Sequence, residues 1–134
     1  MKTRLEYLNQ ATDAMAAMRG VEKYVRSCGI DPKLLELIKI RASQINGCAN
    51  CINMHVAEAR EKGETEQRIY LLPAWREAPC YSDRERAALD WTEAMTRLSE
   101  GHDRASAYQA LKAHFTGEEQ VKRTRTMNCV TGGN

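Results

Sequence analysis

The sequence predicts an all-α fold, a single-domain bundle of about six to seven helices, on three observations. Apolar residues recur at helical spacing along nearly the whole chain. Alternating, strand-like runs are missing. The interruptions fall at residues that start or stop helices, namely Asp31-Pro32, Asn46-Gly47, Ser82-Asp83-Arg84-Glu85 and Thr116-Gly117-Glu118-Glu119. With 134 residues, 43% of them hydrophobic, the chain suits one domain with a substantial core.

Leu5, Leu8, Met15, Met18, Val21 and Val25 make the apolar stripe of a first helix that Gly29 ends. Asp31 then suits an N-cap and Pro32 the first helical position of a second helix. Leu34, Leu35, Leu37, Ile38, Ile40 and Ile45 cover most of its circumference, so it is expected to be deeply buried. Asn46-Gly47 breaks it, and a third helix runs from about Cys48 to Lys62, stopping at Gly63. The fourth, from Thr65 to about Arg76, carries Pro73, which should bend or shorten it. Ser82 to Glu85 forms a capping box for a long fifth helix ending at Gly101. A sixth covers about Arg104 to Phe115, and Thr116 to Glu119 caps a last helix whose end, about 121–134, is unusually polar.

Twenty basic and eighteen acidic residues are dispersed along the chain, which excludes the clustered basic face of a nucleic-acid binder. The amino terminus lacks the apolar core of a secretory signal, and no apolar run reaches membrane-spanning length. A cytoplasmic location is therefore expected, where thiols are kept reduced. Five cysteines in that setting point to redox chemistry or metal binding rather than to a disulfide framework.

The informative segment is Cys48-Ala49-Asn50-Cys51-Ile52-Asn53-Met54-His55. At about 100° per residue, Cys51 and His55 lie roughly 300° and 340° round from Cys48, on one narrow stripe. Cys51 and His55 form an i, i+4 pair close enough to exchange a proton. Cys48 and Cys51, at i, i+3, fall within disulfide reach. Gly47 puts Cys48 in the first turn, where free N–H groups favour a thiolate. An ordinary thiol is only about 3% ionised at pH 7. Lowering its pKa by about two units takes about 2.7 kcal/mol, which a helix terminus and a nearby imidazolium can supply.

Glu36 joins the site by register. If the second and third helices run antiparallel about Asn46-Gly47, position 36 is level with about position 57, roughly 3 Å of rise from His55. Glu36 is an isolated acid in the apolar run Leu34 to Ile40, and it needs a partner. A facing histidine provides one, and the carboxylate would orient the imidazole and raise its basicity. His102, His114, Trp75, Trp91 and Tyr108 read as solvated, capping or packing residues, and Cys28, Cys80 and Cys129 as structural.

Two other functions fit the same residues. Cys48, Cys51 and His55 could give three zinc ligands, but no second pair supplies the fourth. A non-catalytic oligomeric helical scaffold is the other.

The pattern Glu36, Cys48, Cys51, His55 resembles the carboxymuconolactone decarboxylase family, specifically its alkylhydroperoxidase D-like branch. The similarity in style runs from about Tyr24 to about Gly63, with echoes at Ser82 to Glu85 and Gly117 to Glu119. The resemblance implies a helical homo-oligomer, a hexamer in preference to a trimer, that reduces a small-molecule hydroperoxide through a thiol–disulfide cycle without a cofactor. It implies Cys51 as the peroxidatic thiol, Cys48 as the resolving one, His55 as proton relay and Glu36 as its support. A dithiol, thioredoxin-like or lipoyl reductant would close the cycle. The decarboxylase branch lacks this cysteine pair, which argues against lactone decarboxylation. The better-characterised hydroperoxidases carry a histidine where this chain has Asn50, which implies a slower or differently targeted peroxidase. Arg123 and Arg125 stand where buried aliphatics are expected, which implies weaker docking of the last helix. Self-association is expected on physical grounds too, since a helix apolar all round needs more cover than a small chain offers.

Overall fold

The computed structural model describes residues 7–132, with side chains for 9–127, and every regular element among them is helical. A single turn, α1 (Tyr7–Gln10), precedes α2 (Thr12–Ser27). There follow α3 (Pro32–Asn46), α4 (Ala49–Glu61), α5 (Glu66–Leu71), α6 (Asp83–Thr96), α7 (Arg104–His114) and α8 (Gly117–Gly132). Leu5, the first residue of the expected stripe, lies outside the described residues.

The breaks follow local chemistry. Asp31 accepts the N–H of Leu34 at 2.9 Å and Pro32 starts α3. Ser82 and Glu85 form a reciprocal capping box on α6, and Thr116 and Glu119 exchange the same two bonds on α8. Pro73 does shorten its helix: α5 stops at Leu71 and a 3-10 turn, Leu72–Ala74, takes over. The fifth helix ends earlier than Gly101, at Thr96, with a second 3-10 turn over Leu98–Glu100.

The helix α3 is the central strut, packed by α4, α6 and α8. Every residue from Leu34 to Ser43 is buried. Its Leu37 and Ile40 join Ala59, Leu72, Trp75 and Leu89 in one core, while Leu34 and Ile38 join Leu111, Phe115 and Met127 in another. The expectation that this helix leaves an apolar band for a second chain is therefore corrected, because α4, α6 and α8 of the same chain cover it. The exposed large apolar residues lie elsewhere, and three of them, Met18, Val21 and Tyr24, share α2 at 37%, 40% and 52% exposure. The far end of α2, Val25 and Cys28, is buried against Ile30 and Leu35.

The polar last helix, expected to dock weakly, is nonetheless seated on the bundle. It docks on α3, α2 and α6, with Thr126 and Met127 fully covered, so the polar composition does not detach it. Arg125 is exposed, whereas Arg123 is 2% exposed, stacked 3.6 Å from the Phe115 ring centroid. One guanidinium N–H donates to the Glu119 carbonyl at 3.0 Å, but Nε has no partner. Burial, with Arg84 nearby, pushes this guanidinium down to about 10 against the pull of Glu119. An arginine so placed opposes folding. Arg123→Met should raise the urea midpoint, by about 1–2 kcal/mol of added stability. A lower midpoint would show that its stacking and backbone bond outweigh its burial.

Candidate active site

Gly47 closes α3 in the left-handed conformation (φ 65°), which a side chain would strain, and its N–H returns to the end of the helix. The N–H of Cys48 then donates to the Ser43 carbonyl at 3.1 Å. These bonds deliver Cys48 to the N-cap of α4, one position before the first turn in which the sequence placed it. Its sulfur accepts the N–H of Cys51 at 3.3 Å. Cys48 and Cys51 are joined as a disulfide, with Cα atoms 5.4 Å apart, and both are half-buried. Sulfur chemistry is thereby fixed at the positive end of a helix, where negative charge is favoured.

One turn further along α4, His55 points inward and is 5% exposed. Its Nδ1 lies 3.2 Å from Oε2 of Glu36, within ion-pairing range but out of line for a hydrogen bond. The antiparallel register of α3 and α4 thus brings Glu36 and His55 together. Oε2 of Glu58 is 3.5 Å from the same Nδ1. Glu36 is fully buried, and its other oxygen holds the Lys62 ammonium. Burial alone would raise its carboxyl, but the His55 imidazole and Lys62, with Lys39 nearby, hold it down to about 2.

The charges continue outward in a chain that the sequence reading did not include. Lys39, 1% exposed, reaches Glu22 on α2 at 2.6 Å. Glu22 also accepts from Arg26 at 2.9 Å, and Arg26 bridges to Glu58 at 3.2 Å. Burial raises the Glu22 carboxyl and Lys39 with Arg26 more than offset it, leaving it below the ordinary range. Three cations, Lys39, Arg26 and Lys62, therefore surround three carboxylates, Glu22, Glu58 and Glu36. Lys39 carried the same signal as Glu36, a charge inside an apolar run one turn away. Lys62 carried none, since it reaches Glu36 from the C-cap of α4 by the length of its own side chain.

Elsewhere the charged groups serve packing. Glu93 on α6 receives Arg41 at 2.8 Å, Trp75 Nε1 at 2.9 Å and Arg76 at 3.0 Å, beside an open cleft of about 480 Å³. His102, expected in solvent, is half-buried 3.3 Å from Asp90. Trp91 pairs with Tyr108, ring centroids 5.8 Å apart. Cys28 is buried and Cys80 half-buried, neither in a disulfide, while the Cys129 side chain lies outside those described. The set of three zinc ligands considered from sequence is not gathered, since the two cysteines are bonded to each other. Glu36, His55 and Glu58 do gather, one ligand atom from each lying within 4.8 Å of the others. No helix among the described residues is long and apolar enough to cross a membrane.

Comparison with known proteins places this geometry in context. The model of the carboxymuconolactone decarboxylase family matches residues 10–94, a span that contains Glu36, Cys48, Cys51 and His55. The uncharacterized protein YdfG of Bacillus subtilis is 40% identical over 134 residues, covering all of this chain and 91% of that protein. The uncharacterized protein YnjA of Escherichia coli is 27% identical over 95 residues, 71% of this chain and 52% of that one. A crystal structure from Agrobacterium tumefaciens superposes with a TM-score of 0.93 at 42% identity, covering 98% of this chain and 90% of its own. That protein is of unknown function and provisionally named an antioxidant defence protein, AhpD. By sequence match and by fold, this chain belongs to the carboxymuconolactone decarboxylase family.

Proposed function

We propose that this chain is a thiol-dependent peroxidase that reduces hydroperoxides through a Cys48–Cys51 dithiol–disulfide cycle. The observation that carries the reading is the stacking of two features on one helix. A cysteine pair caps the N-terminus of α4, and a buried His55 with two carboxylates at its Nδ1 lies one turn beneath. The likeness to a protein provisionally named AhpD supports the same chemistry.

In this reading the Cys51 thiolate attacks the distal oxygen of ROOH, the O–O bond breaks, and the alkoxide leaves as ROH after taking a proton. Cys51 becomes a sulfenic acid. Cys48 then attacks that sulfur, water leaves, and the disulfide forms. A dithiol, thioredoxin-like or lipoyl reductant restores both thiols by exchange, and no cofactor takes part. His55 moves the proton. With Nδ1 turned to Glu36 and Glu58, Nε2 is the nitrogen free to take the thiol's proton and return it to the leaving oxygen. Glu36, kept anionic by Lys62, steadies the imidazolium. Asn50 is exposed beside Cys51 and offers no second imidazole, which fits a slower or differently targeted peroxidase. Self-association as a trimer or hexamer completes the reading, with the Met18–Val21–Tyr24 face of α2 as the surface to be covered.

Four measurements test this. Hydrogen peroxide should remove two titratable thiols that dithiothreitol restores; Cys48→Ser and Cys51→Ser proteins that lose as many thiols as the wild type would refute the assignment. His55→Gln should slow thiol alkylation near neutral pH at least several-fold with helical content intact, and unchanged kinetics across pH 5–9 would remove the relay. Because the Glu36 carboxyl is lowered, its stabilising effect is full above about pH 4.5 and declines as pH falls towards 2. The urea-stability gap between wild type and Glu36→Gln should therefore narrow over that window, and a gap independent of pH would contradict the pairing. Light scattering should find an oligomer at micromolar protein, and a monodisperse particle of one chain's mass would exclude it.

A further inference from the structure

The carboxylates around His55 support the relay, but they are also disposed as a metal site. The Nδ1 of His55 and Oε2 of Glu36 belong to side chains 5% and 0% exposed, yet neither makes an in-line hydrogen bond. Buried polar atoms left in that condition are uncommon and call for a ligand or a role. Zinc–ligand bonds of about 2.0–2.2 Å at a tetrahedral angle set neighbouring ligand atoms about 3.4 Å apart. Nδ1 already stands 3.2 Å from Glu36 Oε2 and 3.5 Å from Glu58 Oε2. One ligand atom from each of the three residues lies within 4.8 Å of the others, and Glu58, with its side chain 25% exposed, is the ligand that would turn inward to close the set.

We propose that Glu36, His55 and Glu58 bind a divalent cation of the zinc type, with water in the fourth position, and that its binding switches the dithiol site off. The site is the one described above, and the switching part rests on the peroxidase reading. An imidazole nitrogen with two carboxylates suits zinc better than magnesium or calcium, which take oxygen ligands. The effect on the relay follows from the atom used. A cation on Nδ1 fixes the ring hydrogen on Nε2, and the imidazole then has no lone pair with which to accept the thiol's proton. No bond to sulfur is needed.

Two cations already attend these carboxylates, and their positions decide the strength of the site. Lys62 holds the other oxygen of Glu36, leaving Oε2 available. Arg26 touches Oε1 and Oε2 of Glu58 at 3.2 and 3.3 Å, and must give up its contact with Oε2. Its side chain is 43% exposed and stays tied to Glu22, so it can withdraw without leaving a buried charge unpaired. A site neutralised in this way binds weakly and reversibly, as a regulatory site should. Lys39 is held by Oε1 of Glu22 and Lys62 by Oε1 of Glu36, so neither contact uses a proposed ligand atom.

The test separates this site from zinc held by the Cys48 and Cys51 thiolates. Zinc chloride is titrated by equilibrium dialysis into the full chain carrying Cys48→Ser and Cys51→Ser, in metal-free buffer, with circular dichroism checking helical content. One zinc per chain is expected. Adding Glu58→Gln, or separately Glu36→Gln, should weaken binding at least tenfold, whereas His102→Asn, at the other histidine–carboxylate contact, should not. Zinc should also slow alkylation of the reduced wild-type thiols more than those of Glu58→Gln. Absence of zinc binding by the Cys48→Ser, Cys51→Ser chain, or binding indifferent to both glutamate substitutions, overturns the site. Equal zinc inhibition in the wild type and Glu58→Gln overturns the switch. Hydroperoxide turnover measured with chelator present reports on the peroxidase reading alone, so the two can fail separately.

Discussion

The arrangement depends on a carboxylate placed where water cannot reach it. Glu36 sits on the most buried helix of the chain, and a lone ionised carboxylate there would cost several kcal/mol. Its environment is built to prevent that cost. Lys62 closes over it from the end of α4, His55 meets it from the middle of α4, and Lys39 lies one turn along α3. These contacts fix how α4 lies on α3. The same packing fixes where the N-terminus of α4, and therefore the cysteine pair, is presented.

This explains why the polar residues of α3 fall on separate faces. Glu36, Lys39 and Ser43 follow i, i+3, i+7 spacing and form one polar stripe. The stripe serves the site at both ends: Glu36 meets His55, and the Ser43 carbonyl holds the Cys48 N–H. Arg41 faces the other way and joins α6 through Glu93. The apolar residues between them build the two cores. One helix thus carries both the candidate site's scaffold and the packing of the bundle, and α2 reaches the site through Glu22 and Arg26.

Much of this was legible in the sequence because it depends on period and caps. The helical spacing of Cys48, Cys51 and His55, the Asn46-Gly47 break and the capping residues at Asp31, Ser82 and Thr116 each act over a few residues. Glu36 was reachable because an antiparallel pair joined by a short turn has a fixed register. Lys62, Glu58, Glu22 and Arg26 were not, because long side chains reach across helices by amounts that periodicity does not encode. Arg123 shows the limit from the other side. Its charge implies a weakly docked helix, but the sequence does not show that its flat guanidinium lies on Phe115 with the side chain buried. The expected apolar band on α3 was misjudged for a related reason: a sequence shows which faces are apolar but not which neighbours cover them.

The central claim is that electrons reach a hydroperoxide from the Cys48–Cys51 pair alone. Its most direct test is a single-turnover stoichiometry on pre-reduced protein with a hydroperoxide and no added reductant. The account expects one hydroperoxide consumed for every two thiols lost, with a Cys48–Cys51 disulfide found by peptide mass mapping and no consumption by Cys51→Ser. Hydroperoxide loss by the Cys51→Ser protein at the wild-type rate, or oxidation confined to Cys28 and Cys80, would contradict it.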